Sequence, residues 1–381
     1  MKKFKNVLIT GGAGFIGSNL CLKLIEMGYS ITVLDILSHQ IHGNDPINDS
    51  PLYRSIKDKV AFIKGSVTNR NDLELAIKGQ DAIIHLAAET GTGQSMYAIE
   101  SYCSVNIGGT ALMLDILANS THSIKKIVVA SSRAIYGEGK YYCPEFGFVY
   151  PLTRTNEFLS KGDFEVKYKG CNEPLKLVAT DEESKIHPTS VYGITKQNQE
   201  QLIMTVCPTI GIEPVAFRYQ NVYGPGQSLT NPYTGILSIF STRIKNGNPI
   251  NVFEDGLESR DFVYIDDVVH ATILGLEKDE ANGEVFNVAT GVPTNVTTVA
   301  ETLKKKYNAN IPISISGNYR LGDIRHNFAD ITKINEKLDF VPQWSFDAGI
   351  SKFVEWVNAQ EVMEDKYDSS IQEMKQKGLF K

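Results

Sequence analysis

Val7-Leu8-Ile9-Thr10-Gly11-Gly12-Ala13-Gly14-Phe15-Ile16-Gly17, read on to Asp35, is the stretch that decides the fold. Val7–Ile9 is an apolar run of strand length, and a helical pattern through Leu20, Leu22, Leu24 and Ile25 ends at Gly28. Ile31–Leu34 is a second strand that closes on Asp35. Glycines at 11, 14 and 17 permit a tight turn, close approach of backbone to a pyrophosphate, and packing of helix on strand. The positive end of the helix then faces the phosphates. Asp35 suits the acceptor of a ribose 2′-hydroxyl, and neither Arg nor Lys follows in Ile36-Leu37-Ser38, so NAD is favoured over NADP.

Working outward, the alternation continues. Val60–Ile63, Asp81–Leu86 and Lys126–Ala130 read as strands, with helices at Asp72–Ile77 and Val105–Leu117. This rhythm predicts an α/β fold with a doubly wound parallel sheet covered on both faces. Ligands in such sheets sit beyond the carboxyl ends of the strands. Ala87-Ala88-Glu89-Thr90 and Ser131-Ser132 fall there. Further on, Tyr192-Gly193-Ile194-Thr195-Lys196 places a phenol and an ammonium four residues apart, on one face of a helix. A free tyrosine titrates near pH ~10, so a phenolate at neutral pH needs a cationic neighbour.

A net charge of −6 argues against nucleic acid as the main partner. The longest apolar runs fall short of the ~18 residues of a membrane span. Met1-Lys2-Lys3 before Val7–Ile9 mimics a signal peptide, but Gly11, Gly12 and Gly14 interrupt the apolar stretch. Cys21, Cys103, Cys143, Cys171 and Cys207 have no disulfide-framework spacing, which predicts a reducing, cytoplasmic home.

Taken together, Thr10–Gly17, His85-Leu-Ala-Ala88, Val105-Asn106 with Gly109-Thr110, Ser131-Ser132-Arg-Ala-Ile-Tyr136-Gly137, Tyr192-x-x-x-Lys196, Arg218–Pro225, Arg260-Asp-Phe-Val263 and Arg320-x-Gly322-Asp323 resemble the extended short-chain dehydrogenase/reductases that act on nucleotide sugars. The likeness runs from residue 5 to about 355 and is strongest to the 4-epimerase branch, above all to dTDP-L-rhamnose 4-epimerase-like proteins, through Glu89–Met96 and Ser132–Gly139. It implies a Rossmann-type nucleotide domain over 1–217, with an insert at about 138–185 and a return of the chain at about 265–290. A smaller nucleotide-sugar domain would take 218–264 and 291–360, and a tail helix 361–381. It also implies a homodimer.

The same resemblance implies site residues. Ser132 would bond the reacting sugar oxygen, Tyr192 would be the general base and acid, and Lys196 would lower its pKa and hold the nicotinamide ribose. Gly11, Gly14, Phe15, Ile16, Gly17 and Asp35 would cradle NAD at one end. Ser66 and Val67 would lie near the adenine, where many relatives carry Asp-Ile, and Leu86, Ala87, Ala88, Tyr219 and Val222 would complete the cofactor wall. Asn106 belongs to the same set, with a supporting role for the active-site backbone equally implied. His85 reads as a satisfied structural residue at a strand end. On the substrate side the resemblance implies Glu89, Thr90 and Arg133 near the sugar. Asn221 and Arg260 would contact the diphosphate, and Arg320 with Asp323 the phosphates and nucleotide ribose. Arginine suits a diphosphate because its fork donates two bonds at once. The competing reading of Arg260 and Arg320 is ion pairing with Asp261 and Asp323.

Two departures matter. The 4,6-dehydratase branch carries Asp then Glu between the residues equivalent to Ser132 and Tyr136. Arg133 and Ala134 stand there and cannot move those protons, which disfavours dehydration. Ser132 and Tyr192 are also 60 residues apart, about twice the usual connection. The insert reads as a surface excursion packed by its own aromatics, with Tyr141, Tyr142 or Phe146 as an alternative roof for the sugar. It lacks a Cys-x-x-Cys, since Tyr168 precedes Cys171, so no metal is predicted. From Arg218 the pattern predicts a helix at Ile236–Ile244, a strand at Ile250–Phe253 and a loop at Gly256–Arg260. It continues with a helix at Asp266–Leu276, a strand at Val285–Val288 and a helix opening near Thr294. The tail reads as a peripheral helix.

Overall fold

The apolar runs become seven parallel strands because residues such as Val7, Ile9, Ile83, Ile84, Ile127, Val128 and Phe217 are fully buried, and only a sheet covered on both faces hides them all. The computed structural model describes residues 3–231, 233 and 235–381. In space the strands run Glu284–Val288, Glu213–Tyr219, Lys126–Ser132, Ala82–His85, Asn6–Thr10, Ser30–Asp35 and Ala61–Lys64. The order reverses at Asn6–Thr10, which pairs with Ser30–Asp35 on one side and Ala82–His85 on the other. That reversal opens the crevice in which such sheets bind ligands. The doubly wound α/β prediction therefore holds.

Helices Phe15–Glu26, Arg70–Ile77, Gly109–Asn119, Val191–Val206 and Ile265–Glu277 accompany the sheet. The predicted Val105–Leu117 helix begins later as regular α-helix, because Cys103–Gly108 winds as a π-turn ahead of it. Beyond Tyr219, short strands Asn221–Tyr223, Ser259–Tyr264 and Pro293–Asn295 form a second sheet, with His326–Asn327 on Ser259–Arg260. The loop expected at Gly256–Arg260 is thus shorter than predicted. Arg260 is in a strand, and its polarity is answered by tertiary contacts rather than solvent. One apolar cluster runs from Val7 and Leu20 through Phe217 to Phe262, Leu303 and Phe353, so the two sheets share a core.

The insert is a three-stranded sheet of Tyr141–Cys143, Gly147–Val149 and Lys176–Leu177. Its rings pack on one another, Tyr142 on Phe148 and Phe146 on Tyr168. None of Tyr141, Tyr142 and Phe146 reaches the main cavity, so the roof alternative is corrected. The cysteine reading is corrected too. Antiparallel pairing of the insert strands brings Cys143 and Cys171, 28 residues apart, into a disulfide. Pairing across a tertiary sheet leaves no spacing signal. Among the described residues, no helix is long and apolar enough to cross a membrane.

Candidate active site

A cavity of about 620 Å³ lies along the carboxyl ends of the strands and passes into the second sheet. Its first end is built by the glycine turn. Gly14 caps the helix Phe15–Glu26 without a side-chain bond, which leaves backbone N–H groups free at the positive end of a twelve-residue helix. Gly11 has φ +70°, a conformation that favours glycine. A Cβ on Gly17 would stand 2.4 Å from the Gly11 carbonyl and 2.6 Å from Gly12 Cα. This bare cradle is what a pyrophosphate needs, and it fits a dinucleotide. Gly17→Ala must shift the turn, an overpacking cost of about 1–3 kcal/mol. NAD affinity is expected to fall about 10- to 100-fold, measured by titration of the stripped protein.

Asp35 lies at the end of its strand with one oxygen accepting from Ala13 N at 3.0 Å and the other from Leu37 N at 2.8 Å. It therefore ties the glycine turn to the next loop while keeping lone pairs for a ribose. His42 is a site residue that the sequence did not reveal. Its Nε2 is 4.0 Å from Asp35 and its Nδ1 bonds Ser50 Oγ at 2.8 Å. Burial pushes His42 toward its neutral form and Asp35 upward, with each opposing the other's shift. Ser66 and Val67 line the same end, and the Ser66 hydroxyl is engaged with Thr68 at 2.8 Å.

The middle of the cavity holds the reactive groups. Ser132 ends its strand, and its Oγ accepts from Ala134 N at 3.2 Å. Ser190 caps the helix Val191–Val206 by accepting from Gly193 N at 3.1 Å. A Cβ on Gly193 would meet the Ala134 carbonyl at 2.6 Å. The missing side chain lets helix and turn touch, and this contact delivers Tyr192 to Ser132. Both side chains line the cavity with the Ser132 hydroxyl near enough to pull the phenol down, and Tyr192 N is held by Ser95 Oγ at 3.0 Å. Burial raises the Tyr192 phenol above its usual value, against the opposing Ser132 hydroxyl and the Arg133 charge.

Lys196 lines the cavity, but its ammonium donates to Gln199 Oε1 at 2.7 Å, and burial brings it down to about 7. The expectation that Lys196 depresses Tyr192 is corrected in this arrangement, since Ser132 and Arg133 exert the downward pull. Gln199 continues to Thr110 at 2.9 Å, which bonds His85 Nε2 at 3.0 Å, while His85 Nδ1 meets Thr10 at 2.7 Å. Burial holds His85 neutral, down at about 3, as befits a structural residue. Asn106 is the one predicted site residue off the cavity wall. Its carboxamide accepts from Glu89 N at 2.7 Å and donates to Thr195 at 2.9 Å, so it braces the Glu89 backbone and its direct cofactor role is corrected.

The far end is cationic. Arg133 Nε donates to Asn221 Oδ1 at 2.8 Å. Arg260 donates to the carbonyls of Ser259, Arg325 and Ile324 at 2.7–2.9 Å, and not to Asp261. Asp261 is instead buried among the N–H groups of Thr290, Gly291 and Ala329. Arg320 does pair with Asp323, at 2.7 Å, and both line the cavity. Glu89, Thr90, Leu86, Ala87, Ala88, Tyr219 and Val222 line it as predicted. The wall also includes Asn251, Phe253 and Glu258, and residues of the tail, none of which carried a motif. The peripheral placement of the tail is therefore corrected.

This geometry can be set beside known proteins. The model of the NAD dependent epimerase/dehydratase family matches residues 7–157 and 168–289. The dTDP-L-rhamnose 4-epimerase of Burkholderia thailandensis is 35% identical over 362 residues, covering 94% of this chain and 96% of that protein. Among solved structures, a UDP-N-acetylglucosamine 4-epimerase from Methanobrevibacter ruminantium, in complex with UDP-N-acetylmuramic acid, superposes with a TM-score of 0.75 at 30% identity, over 95% of this chain and all of that one. A UDP-glucose 4-epimerase from Thermotoga maritima, with UDP-glucose, gives 0.74 at 30% identity, over 93% and 98%.

Proposed function

The chain belongs to the NAD dependent epimerase/dehydratase family, and from that premise we propose that it is an enzyme inverting C4 of a hexose carried on a nucleoside diphosphate. The observation that carries this reading is the Ser132 and Tyr192 hydroxyls brought to one stretch of the cavity wall, with Arg133 and Ala134 beside them. A pair of hydroxyls can pass the proton of one sugar hydroxyl. With no acidic pair next to them, the residues that a dehydratase needs for eliminating water are absent from those positions.

NAD, which the glycine cradle of Gly11, Gly14 and Gly17 would hold, would supply a reversible hydride acceptor for C4. The chain does the rest. Tyr192 acts as the phenolate, which the Ser132 hydroxyl and the Arg133 charge favour against burial, removes the C4-hydroxyl proton, and gives it back once the sugar has turned. Ser132 keeps the reacting oxygen in line. Lys196 is assigned to the nicotinamide ribose and supplies positive charge. Arg260, Arg320 and Arg133 offset the diphosphate charge, so the anchor stays fixed while the 4-keto sugar rotates. The reading is supported by the 4-epimerase relatives, and dTDP-L-rhamnose is the first substrate to try because the relative named for it is 35% identical over nearly the whole chain. A homodimer completes the proposal.

Incubating the purified protein with dTDP-L-rhamnose, UDP-glucose and related sugars in deuterated water, followed by NMR, tests it. The expected product is the C4 epimer, free of solvent deuterium, formed without net loss of NAD. Deuterium entering the sugar from solvent, or steady consumption of reduced cofactor, would instead mark a dehydratase or a ketosugar reductase.

A further inference from the structure

Residues 365–381 run across the substrate end of the cavity and are fastened on both sides. On the second-sheet side, Arg243 pairs with Asp365 at 3.2 Å and Asp368 at 3.4 Å, and its guanidinium stands 4.4 Å over the Tyr367 ring. Tyr319 and Lys381 exchange two backbone bonds, at 2.9 and 3.0 Å, and Leu321 N donates to Leu379 O at 2.9 Å. The Phe380 ring meets Phe253 edge-on at 5.0 Å. On the nucleotide side, Gly93 lies beside Met374 and the Lys377 ammonium stands 5.7 Å over the Tyr97 ring, while Tyr233 donates to Glu373 from the second-sheet side. Between these fastenings the helix Tyr367–Gln376 turns Tyr367, Ser370, Ile371 and Met374 to the cavity.

The chemistry beneath this span is specific. The Arg320 guanidinium stands 5.6 Å over Phe253, and Phe253 is stacked with Tyr367 at 6.5 Å. Next to the arginines that suit a diphosphate there is thus an aromatic wall. The Tyr367 hydroxyl lies beside Asn251, and neither it nor the Asn251 carbonyl oxygen completes a hydrogen bond within the protein. Buried polar atoms left in that state cost stability unless a partner arrives. Flat aromatic faces with uncharged donors and acceptors at their edge suit the nucleoside of a nucleoside diphosphate, which would have to stand next to the phosphates in any case.

We infer that residues 365–381 form a strap that closes the nucleoside end of the substrate site, and that Tyr367 on it determines specificity for the nucleoside. This rests on the nucleotide-sugar reading proposed above. Because the strap is tied to both sides of the cavity, substrate exchange requires one side to let go, and the Arg243 ion pairs and Tyr233–Glu373 bond on one side or the Met374 and Lys377 contacts on the other are the points that open.

The test uses the full-length protein with NAD bound. Isothermal titration with dTDP and with UDP is compared between wild type and Tyr367→Phe, which removes only the hydroxyl. Losing one such bond to the ligand is expected to weaken the tighter-binding nucleotide about tenfold. KM for the nucleotide sugar should rise by the same factor, with kcat within about twofold and NAD content unchanged. Limited proteolysis of wild type supplies a second measurement: dTDP or UDP should slow cutting between residues 360 and 381, and added NAD should not. Tyr367→Phe binding both nucleotides as wild type does, or losing kcat at constant KM, would overturn the assignment. Should wild type bind neither nucleotide, the nucleotide-sugar reading itself fails and takes the strap with it. Should wild type bind and Tyr367→Phe not differ, only the strap's role in recognition falls.

Discussion

Tyr192→Phe is expected to lower kcat by about 10²- to 10⁴-fold, the range in which positioned general acid–base groups operate. On the barrier this is about 3–5 kcal/mol. The ring is kept, so its edge contact with Tyr102 at a centroid distance of 6.4 Å survives. The cradle for NAD is untouched. Substrate KM and cofactor content should therefore stay close to wild type while turnover collapses, because the lost interaction matters most in the transition state. Ser132→Ala is the companion variant. It removes the hydroxyl that pulls the phenol down, so its pH–rate profile should shift to higher pH in addition to losing rate. Turnover by Tyr192→Phe within tenfold of wild type would exclude the phenol as the base.

The contrast between what was legible and what was not follows from contact range. The glycine turn, the strand rhythm and Asp35 are local patterns, each spanning fewer than forty residues, and they predicted the parallel sheet and the cofactor end. Tyr192 and Lys196 were visible for the same reason, as one helical repeat. Their partners were not. Whether the Lys196 ammonium meets Tyr192 or Gln199 is decided by the buried chain Gln199–Thr110–His85, whose members come from three distant segments. Arg260 read as a loop residue because it sits among polar neighbours, yet it is satisfied by carbonyls sixty-odd residues away. His42 is seven residues past Asp35 with no regular repeat to link them. The tail showed only a polar amphipathic helix, and its place over the cavity depends on Arg243, Tyr319 and Tyr97, all remote in the chain. Specificity is in general carried by such long-range contacts, which is why a family's shared chemistry is easier to read than its substrate.

Arg325→Met is expected to cost about 1.5–3 kcal/mol of folding stability, the magnitude of losing hydrogen bonds to charged groups from a network whose other cation remains. Arg325 is fully buried. Its guanidinium donates to Glu165 at 2.6 Å, to Glu254 at 3.0 Å and to both oxygens of Asp255 at 2.7 and 2.8 Å. Arg154 covers Glu254 through a two-bond fork at 2.8 Å and reaches Glu138 at 3.3 Å, but it does not reach Glu165 or Asp255. Met therefore fills the volume, leaves the partly exposed Glu165 and Asp255 to solvent, and leaves the buried Glu254 to Arg154 alone, and Arg325→Lys, which restores charge without the fork, should lose less. Acid unfolding gives an independent readout. His326, with Nε2 3.7 Å away, and then the hydrogen-bonded Arg325 hold the Glu165 carboxyl down at about 2. A depressed carboxyl stabilises the fold above its unfolded pKa of ~4.3 and loses that contribution as pH falls toward the folded value. Wild type should thus weaken between about pH 4 and pH 2 more steeply than Arg325→Met. The network also reaches the site, because the carbonyls of Ile324 and Arg325 hold the Arg260 guanidinium at 2.7 and 2.9 Å. A variant that folds should consequently show a raised KM for the nucleotide sugar with NAD binding preserved. Urea unfolding of Arg325→Met within about 1 kcal/mol of wild type would show instead that Arg154 alone balances the buried carboxylates.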